Sequence, residues 1–187
     1  MSKFTFEPLA VPDLIVIKPT VYGDARGFFL ETYRADEFAA AGITNTFVQD
    51  NHSHSTQGVL RGLHFQKTRP QAKLIRCVTG RMFDVGVDLR RGSPTYGQWA
   101  GVELSSDNHW SLLIPKGFAH GFLVLSPEVD VEYQCDEYYH PEDEGGLLWN
   151  DPTVAIVWPL PVGSMPHLSG KDQQWPTLAE WEKRCGQ

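Results

Sequence analysis

Apolar side chains alternate with polar ones over short stretches of this chain, at the two-residue period of a β-strand. Between residues 83 and 89, four apolar side chains alternate with Asp84, Gly86 and Asp88, which predicts a half-buried strand with one apolar face. Similar runs predict strands at 14–18, 27–32, 47–51, 60–65, 72–79, 99–104, 112–114, 119–125 and 130–135.

So many closely spaced strands predict a mostly β fold, a closed sandwich or barrel. Helical character is confined to short pieces at 34–41, which Gly42 ends, and at 177–184. The 187 residues, of which 41% are hydrophobic, fit one globular domain over 1–187 with a substantial core. Internal repeats and low-complexity linkers are absent from the sequence.

The alternation also predicts which side chains point inwards. Tyr133 shares its parity with the apolar Val131, so its side chain is expected to face the interior. His120 shares its parity with Phe122 in the same way. His64 shares its parity with Leu60, Gly62 and Gln66, and we expect both histidines to face an enclosed cavity.

Arg61 has the opposite parity from His64, although the two lie only three positions apart in Leu60-Arg61-Gly62-Leu63-His64-Phe65-Gln66. This segment contains a guanidinium that can bind an anion and an imidazole that can accept a proton. Both side chains reach one site only if a β-bulge or the turn before Leu60 redirects Arg61. The direction of Arg61 is therefore left open.

Each polar residue on these strands also has an ordinary interpretation. A single inward tyrosine or histidine in a β domain is usually a packed side chain with its polar atoms bonded, and a lysine is usually solvated. Five such residues on consecutive strands are harder to explain in that way, because each is costly to bury. They are Arg61, His64, Lys73, His120 and Tyr133, and together they indicate a polar-lined pocket.

Charge and composition exclude several classes of partner. The formal net charge is −7, with 23 acidic against 16 basic residues, which argues against nucleic acid because a phosphate backbone needs a basic face. The sequence has neither a signal-peptide core nor an apolar run of membrane-spanning length, so we expect a cytoplasmic protein. Cys77, Cys135 and Cys185 lack a C-x-x-C pairing and are expected to be reduced thiols, with Cys77 and Cys135 buried.

Metal binding is the competing chemistry for histidines in a small β-barrel. His52-Ser53-His54 is the obvious pair, but 51–58 is polar and is interpreted as a loop. Where a metal-binding cupin carries a His-x-His pair, this chain has His64-Phe65-Gln66. We therefore predict no metal and no cofactor. A Gly-x-Ser-x-Gly elbow, a phosphate loop and a dinucleotide fingerprint are also missing.

The order and spacing of several motifs carry a family resemblance over nearly the whole chain. It rests on Tyr22-Gly23-Asp24-Ala25-Arg26-Gly27-Phe28-Phe29-Leu30-Glu31 and on 47–51, 60–66, 83–85, 114–122 and 148–152. The chain resembles the dTDP-4-dehydrorhamnose 3,5-epimerases of the cupin superfamily. This resemblance implies a metal-independent jelly-roll barrel of antiparallel strands and a homodimer with exchanged strands. It also implies the substrate dTDP-4-dehydro-6-deoxyglucose, epimerised at C3 and C5.

The resemblance assigns chemical roles to residues already singled out. His64 is implied as the base, a role that suits an imidazole with an ordinary pKa of about 6.5. Asp172 is implied as its carboxylate partner, and Tyr133 as the proton donor on the opposite face of the sugar. Lys73 is assigned to stabilise the enolate oxygen, and Arg61 and His120 are assigned to position the sugar.

The same resemblance implies further contacts to the nucleotide sugar. The substrate-binding residues are Arg26, Glu31, Gln49, Asn51, Arg61, Lys73, His120, Glu144 and Lys171, and the candidates for stacking on thymine are Phe28, Phe29, Tyr138 and Tyr139. Which subunit supplies Arg26 and Glu31 is open. Two alternatives also stay open, namely a single-centre 3- or 5-epimerase of a related sugar and a metal-dependent or non-enzymatic cupin. The preferred nucleotide and the destination of the sugar are likewise undetermined.

Overall fold

Antiparallel strands make up most of the computed structural model, which describes residues 2–184. Nine of them form one sheet, and β3 and β4 pair as a separate ribbon. The strands are β1 (Phe4–Pro8), β2 (Ile15–Pro19), β3 (Tyr22–Asp24), β4 (Gly27–Phe29), β5 (Gln49–Thr56), β6 (Leu60–Gln66), β7 (Lys73–Asp88), β8 (Trp99–Ser105), β9 (Ser111–Ile114), β10 (Phe118–Cys135) and β11 (Glu144–Gly146). The helices are α1 (Ala35–Ala40) and α2 (Leu178–Arg184), with 3-10 turns at Pro141–Asp143 and Asp172–Gln174. The predicted mostly β fold with short helices is confirmed.

The two central strands, β7 and β10, are each longer than predicted. The expected strands 72–79 and 83–89 are one continuous β7, and 119–125 and 130–135 are both parts of β10. The pairing of the two strands shifts register between Val124 and Val129. Gly80 lies at this bend with φ 77°, and a Cβ there would stand 2.1 Å from the carbonyl oxygen of Glu128. Only glycine allows this close approach.

Different neighbours flank the two halves of the central pair. β9 pairs with the first part of β7 and β8 with its second part. β6 pairs with the first part of β10 and β5 with its second part. Buried apolar side chains from both halves of β7 and β10 meet in one core cluster, which includes Ile75, Met82, Phe122 and Val131.

Strand β5 corrects the prediction of a loop over 51–58. Residues 49–56 pair in register with 128–135 of β10. The sequence pattern concealed this strand because both of its faces are polar. His52 and His54 project to the exposed face, whereas Asn51 and Ser55 lie on the more buried one.

The second half of β7 is buried on both faces, which corrects the half-buried strand predicted at 83–89. Val85 and Val87 pack in a second cluster with Trp158 and Leu178 from the C-terminal segment. Asp84 and Asp88 are fully buried on the opposite side. Asp88 accepts hydrogen bonds from Arg90, Ser93 and Thr95. Oδ1 of Asp84 lies 2.6 Å from Nε2 of His120, whereas its Oδ2 has no hydrogen-bond partner within residues 2–184.

Cys77 and Cys135 are buried free thiols, as predicted. Burial raises the pKa of Cys77 to about 12 and that of Cys135 to about 11, so both thiols are protonated at neutral pH. Cys185 lies outside the described residues. None of the helices within residues 2–184 is long and apolar enough to cross a membrane.

Candidate active site

A β-bulge in β6 determines the face of the sheet on which the Arg61 side chain lies. His64 pairs with His120 and Arg61 with Phe122, so one more residue is used on β6 than on β10. Arg61 and His64 therefore share a face, whereas Leu60 packs in the core on the other side. The sequence prediction that His64 shares a face with Leu60 is wrong for this reason.

Glycine makes the bulge possible. Gly62 has φ 123°, and a Cβ on it would lie 2.6 Å from the Cα of Gly121 on β10. The two backbones thus approach too closely for any side chain at position 62. The bulge then places the cation of Arg61 on the same side of the sheet as the imidazole of His64.

Three of the five residues predicted to form a polar-lined pocket border the same cavity, whereas Arg61 and His120 are not among its lining residues. His64, Lys73 and Tyr133 line this one open cavity of about 260 Å³. The cavity is formed by β5, β6, β7, β10 and the residues around β11. Four further residues predicted to bind substrate or stack on thymine also line it: Gln49, Asn51, Tyr139 and Glu144.

His64 is held by Asp172, as the resemblance implied. Its Nε2 lies 2.6 Å from Oδ1 of Asp172, across 108 positions of sequence. Burial tends to raise the pKa of Asp172, but the hydrogen bond to His64 and further hydrogen bonds outweigh it and lower that pKa. Asp172 is therefore an anion at neutral pH, ready to stabilise an imidazolium. Nδ1 is left as the ring nitrogen that can accept a proton.

Lys73 places a cationic side chain at the cavity, and this side chain forms no salt bridge within residues 2–184. Its Nζ has no hydrogen bond or ion pair to any residue in 2–184. Burial lowers the pKa of Lys73, and the nearby Cys135, Asp84 and Glu144 oppose this shift. An ammonium without a competing anionic partner is suited to stabilise a developing oxyanion.

His120 lies behind Lys73 rather than in the lining of the main cavity. It borders a much smaller adjoining space together with Lys73. Its Nε2 is 2.6 Å from Oδ1 of Asp84. Burial lowers the pKa of His120, with the Asp84 charge opposing that shift. Asp84 was missed from the sequence because its alternation with Phe83 and Val85 resembled a solvent-facing position.

Tyr133 has the properties of a proton donor. Burial raises the pKa of its phenol, and Arg61 partly offsets the rise. The hydroxyl is consequently protonated at neutral pH, and no residue in 2–184 hydrogen-bonds to it. Arg61 itself donates from Nε to Ser55 Oγ at 2.9 Å and from a terminal nitrogen to the backbone oxygen of His54 at 3.0 Å.

Polar residues of the 137–144 region form the rim of the cavity. Glu144 accepts hydrogen bonds from Tyr139, at 3.1 Å, and from Lys171. Gln49 accepts a hydrogen bond from the Tyr139 backbone at 2.8 Å and donates one to Asn51 Oδ1 at 3.0 Å. These contacts place Lys171 beside the rim.

Gln66, which replaces a cupin metal ligand, has a structural role that the sequence did not indicate. Its amide nitrogen donates to the backbone oxygens of Arg69 and Tyr138, at 2.7 and 3.1 Å. Its amide oxygen accepts from the backbone of His140 at 2.6 Å. The side chain thereby ties the rim loop to β6.

Five of the residues predicted to bind substrate or stack on thymine lie away from this cavity within one chain. Phe28 and Phe29 are exposed on the β3–β4 ribbon, which also carries Arg26, paired with Asp24. Glu31 follows the ribbon and pairs with Lys3 at 2.6 Å. Tyr138 is exposed near the rim, outside the lining of the cavity.

The His52 and His54 pair lies outside the cavity as well. Both rings contact Oδ1 of Asp130, at 3.0 and 3.2 Å, on the exposed face of β5 and β10. Residues 2–184 contain no group of three or more histidines, cysteines or acidic residues arranged to hold a metal ion.

The arrangement as a whole supports proton transfer at carbon. A carboxylate-bound imidazole, a protonated phenol and an unpaired ammonium border one cavity. They can remove a proton, stabilise the resulting enolate and return a proton.

Known proteins that are similar to this chain over nearly its full length are epimerases. Residues 8–180 match the family model for dTDP-4-dehydrorhamnose 3,5-epimerase. A protein of that description from Methanothermobacter thermautotrophicus is 49% identical over 180 residues, which are 96% of this chain and 97% of that protein.

Solved structures share the fold. The dTDP-6-deoxy-D-glucose-3,5-epimerase of Legionella pneumophila Philadelphia 1, in complex with dTDP-4-keto-L-rhamnose, is 48% identical with a TM-score of 0.90, covering 94% of this chain and 93% of that one. A 3'-monoepimerase from Streptomyces bikiniensis, in complex with dTDP-quinovose, is 33% identical with a TM-score of 0.88, covering 96% and 90%. The predicted cupin-like jelly roll is confirmed by this agreement.

Proposed function

Because this chain belongs to the dTDP-4-dehydrorhamnose 3,5-epimerase family, we propose that it inverts C3 and C5 of dTDP-4-dehydro-6-deoxyglucose with His64, Lys73 and Tyr133. It is an isomerase with dTDP-4-dehydrorhamnose 3,5-epimerase activity, in dTDP-rhamnose biosynthesis, and it binds dTDP-sugars. One domain over 1–187 carries out the reaction, in the cytoplasm. The buried free thiols Cys77 and Cys135 suit that reducing compartment.

The chemistry begins at the C4 ketone of the sugar. The ketone acidifies the protons on C3 and C5, because the electron pair left on carbon spreads onto the C4 oxygen as an enolate. His64 takes the proton and becomes an imidazolium paired with Asp172. Lys73 stabilises the enolate oxygen. Tyr133 gives a proton to the opposite face of the same carbon, which inverts that centre with no net change in protons on the sugar. His64 then releases its proton to water and the Tyr133 phenolate takes one from water, which restores both groups for the second carbon.

The observation that carries this proposal is the convergence of three complementary groups on one cavity. His64 with Asp172 at 2.6 Å supplies the base, and the raised pKa of Tyr133, caused by burial, supplies a phenol that is still protonated. Lys73 borders the same space. The base, the cation and the proton donor therefore face one space, as the three parts of the reaction require.

Deuterium exchange tests the reaction and separates it from the main alternative. Incubation with dTDP-4-dehydro-6-deoxyglucose in deuterated water, followed by reduction of the ketone and NMR, is expected to give label and inversion at both C3 and C5. Label and inversion at one carbon only would instead indicate a single-centre epimerase, the activity named for the relative from Streptomyces bikiniensis. Loss of activity on chelation, restored by one metal, would favour the metal-dependent alternative.

Changing Tyr133 to phenylalanine removes the proton donor but keeps the ring. We expect the variant to retain part of the deuterium exchange, because His64 still removes protons, while formation of the inverted product falls by about a hundredfold or more. NMR of the reaction in deuterated water measures exchange and inversion together. The control is Tyr33→Phe, since Tyr33 packs on Phe38 outside the cavity. Unchanged product formation by Tyr133→Phe would remove Tyr133 from this role.

The proposal also includes a homodimer in which the β3–β4 ribbon is exchanged between subunits. The ribbon pairs only with itself in the described chain, and it exposes Phe28 and Phe29, with relative accessibilities of 63% and 64%. Neighbouring exposed aromatic rings typically mark an interaction surface. The cavity of one chain, at about 260 Å³, is also smaller than most small-molecule sites. A ribbon from the partner would enlarge it and bring the guanidinium of Arg26 to the diphosphate.

Mixed dimers test whether Arg26 acts in the partner's site. A dimer of one Arg26→Ala chain and one His64→Ala chain then has one intact site and one doubly altered site. We expect it to recover about half of the wild-type activity, whereas both parent homodimers are strongly impaired. Absence of recovery in purified mixed dimers would mean that Arg26 serves its own chain, whereas an unimpaired Arg26→Ala homodimer would mean that Arg26 serves no site.

A further inference from the structure

The carboxylate that supports His64 accepts a second hydrogen bond from outside the cavity. The indole Nε1 of Trp175 donates to Oδ1 of Asp172 at 3.2 Å. This is the same oxygen that lies 2.6 Å from Nε2 of His64. We propose that Trp175 is a positioning residue, which sets the orientation and basicity of His64 through Asp172. This inference rests on the proposed role of His64 as the base.

The backbone beside His64 is built to admit the indole. Gly146 on β11 pairs with His64 on β6. A Cβ on Gly146 would lie 2.3 Å from Cδ2 and Cε2 of Trp175, so the ring packs directly on the backbone at that position. The ring of Trp175 also meets the His64 ring edge to face, with centroids 6.2 Å apart. Glycine at 146 therefore allows Trp175 to lie against both members of the pair.

An oxygen that accepts two hydrogen bonds is held in place more firmly than an oxygen that accepts a single one. An indole nitrogen can only donate, so Trp175 stabilises the anionic form of Asp172 and never competes for the proton of His64. Its hydrogen bond fixes the rotation of the carboxylate, and through it the tilt of the imidazole towards the cavity. It also draws negative charge away from His64, which limits how strongly Asp172 raises the basicity of the imidazole.

Replacing Trp175 by phenylalanine tests this role, because the aromatic packing is largely kept and the N–H is lost. We expect kcat to fall about tenfold, the scale of a lost outer-shell hydrogen bond. We also expect the acidic limb of the pH profile of kcat/KM to move to higher pH. Without the indole donor, Asp172 pairs more strongly with the imidazolium of His64 than with the neutral ring, so the active, unprotonated enzyme forms only at higher pH.

Trp158→Phe is the matched control. Its indole also donates one buried hydrogen bond, to the backbone oxygen of Trp149 at 2.8 Å, but it lies in the cluster on the opposite face of the sheet. A purely structural role for Trp175 predicts that both variants lose thermal stability while kcat and the acidic limb stay at their wild-type values. That outcome would overturn the proposal.

A measurement on the wild-type protein removes any dependence on how well the variant folds. The ¹H–¹⁵N resonance of the Trp175 indole is expected to shift with pH at the same midpoint as the acidic limb, and to lose that titration in His64→Ala. An indole resonance insensitive to pH in the wild-type protein would contradict the proposal. If instead the wild-type protein exchanges no deuterium at C3 or C5, or His64→Ala exchanges normally, the proposed function itself fails.

Discussion

Replacing His64 by alanine is expected to abolish deuterium incorporation at C3 and at C5 together, because one base serves both carbons in the proposed reaction. General-base catalysis contributes between about a hundredfold and ten-thousandfold, and we expect kcat to fall by at least that much. Asp172 keeps the hydrogen bond from Trp175 in the variant, so the buried carboxylate retains one donor and the fold is preserved. Exchange measured by NMR in deuterated water, beside a circular dichroism spectrum, gives the result.

A second histidine provides the control for this prediction. His52 is exposed on β5 and contacts Asp130 outside the cavity, so His52→Ala is expected to exchange label at the wild-type rate. His64→Ala should still bind dTDP, since the proposed contacts to the nucleotide come from other residues. Near-normal exchange in His64→Ala would exclude His64 as the base. Loss at one carbon alone would require a second base for the other.

The fold was largely predictable because most strands bury one apolar face. Where a strand is buried on both faces or lines a polar cavity, alternation fails. The sequence predicts only the start of β5 as a strand and the rest as a loop, because the more buried face of β5 carries Asn51, Ser53 and Ser55 rather than apolar residues. Asp84 resembled a solvent-facing position because its true partner, His120, lies 36 positions away. The strands that form the site are therefore hard to predict from the sequence, because some of their inward-facing side chains are polar.

Part of the site could be predicted from the alternation of side chains along the strands, and part only from the resemblance to a known family. Tyr133 points inwards with Val131, as a regular strand requires. Arg61 could not be placed, because the bulge at Gly62 depends on the close approach of Gly121 from another strand. Asp172 and Trp175 lie in a 3-10 turn and the loop after it, where local sequence carries no signal for a contact with His64 more than a hundred positions earlier. Only the folded chain brings these residues together.

The largest remaining effect is expected at Lys73, whose ammonium has no salt bridge within the described chain. Lys73→Met keeps most of the side-chain volume and removes the charge. Both enolates place their negative charge on the same C4 oxygen, so exchange at C3 and C5 should slow by the same factor. Loss of one preorganised donor to an oxyanion costs about a hundredfold to a thousandfold in kcat, or roughly 2.7 to 4 kcal/mol. The control is Lys18→Met, because Lys18 pairs with Glu7 far from the cavity.

The pH profile distinguishes Lys73 from Tyr133 as the group whose deprotonation ends activity at high pH. Burial lowers the pKa of Lys73 below its ordinary value of 10.5, and it raises the pKa of Tyr133 above its ordinary value of 10.0. The ammonium form is the active one, so activity falls as pH rises through the lowered pKa of Lys73. In Lys73→Met the residual activity should lose this alkaline limb. An alkaline limb that persists unchanged in the variant would assign it to another group and remove Lys73 from the oxyanion site.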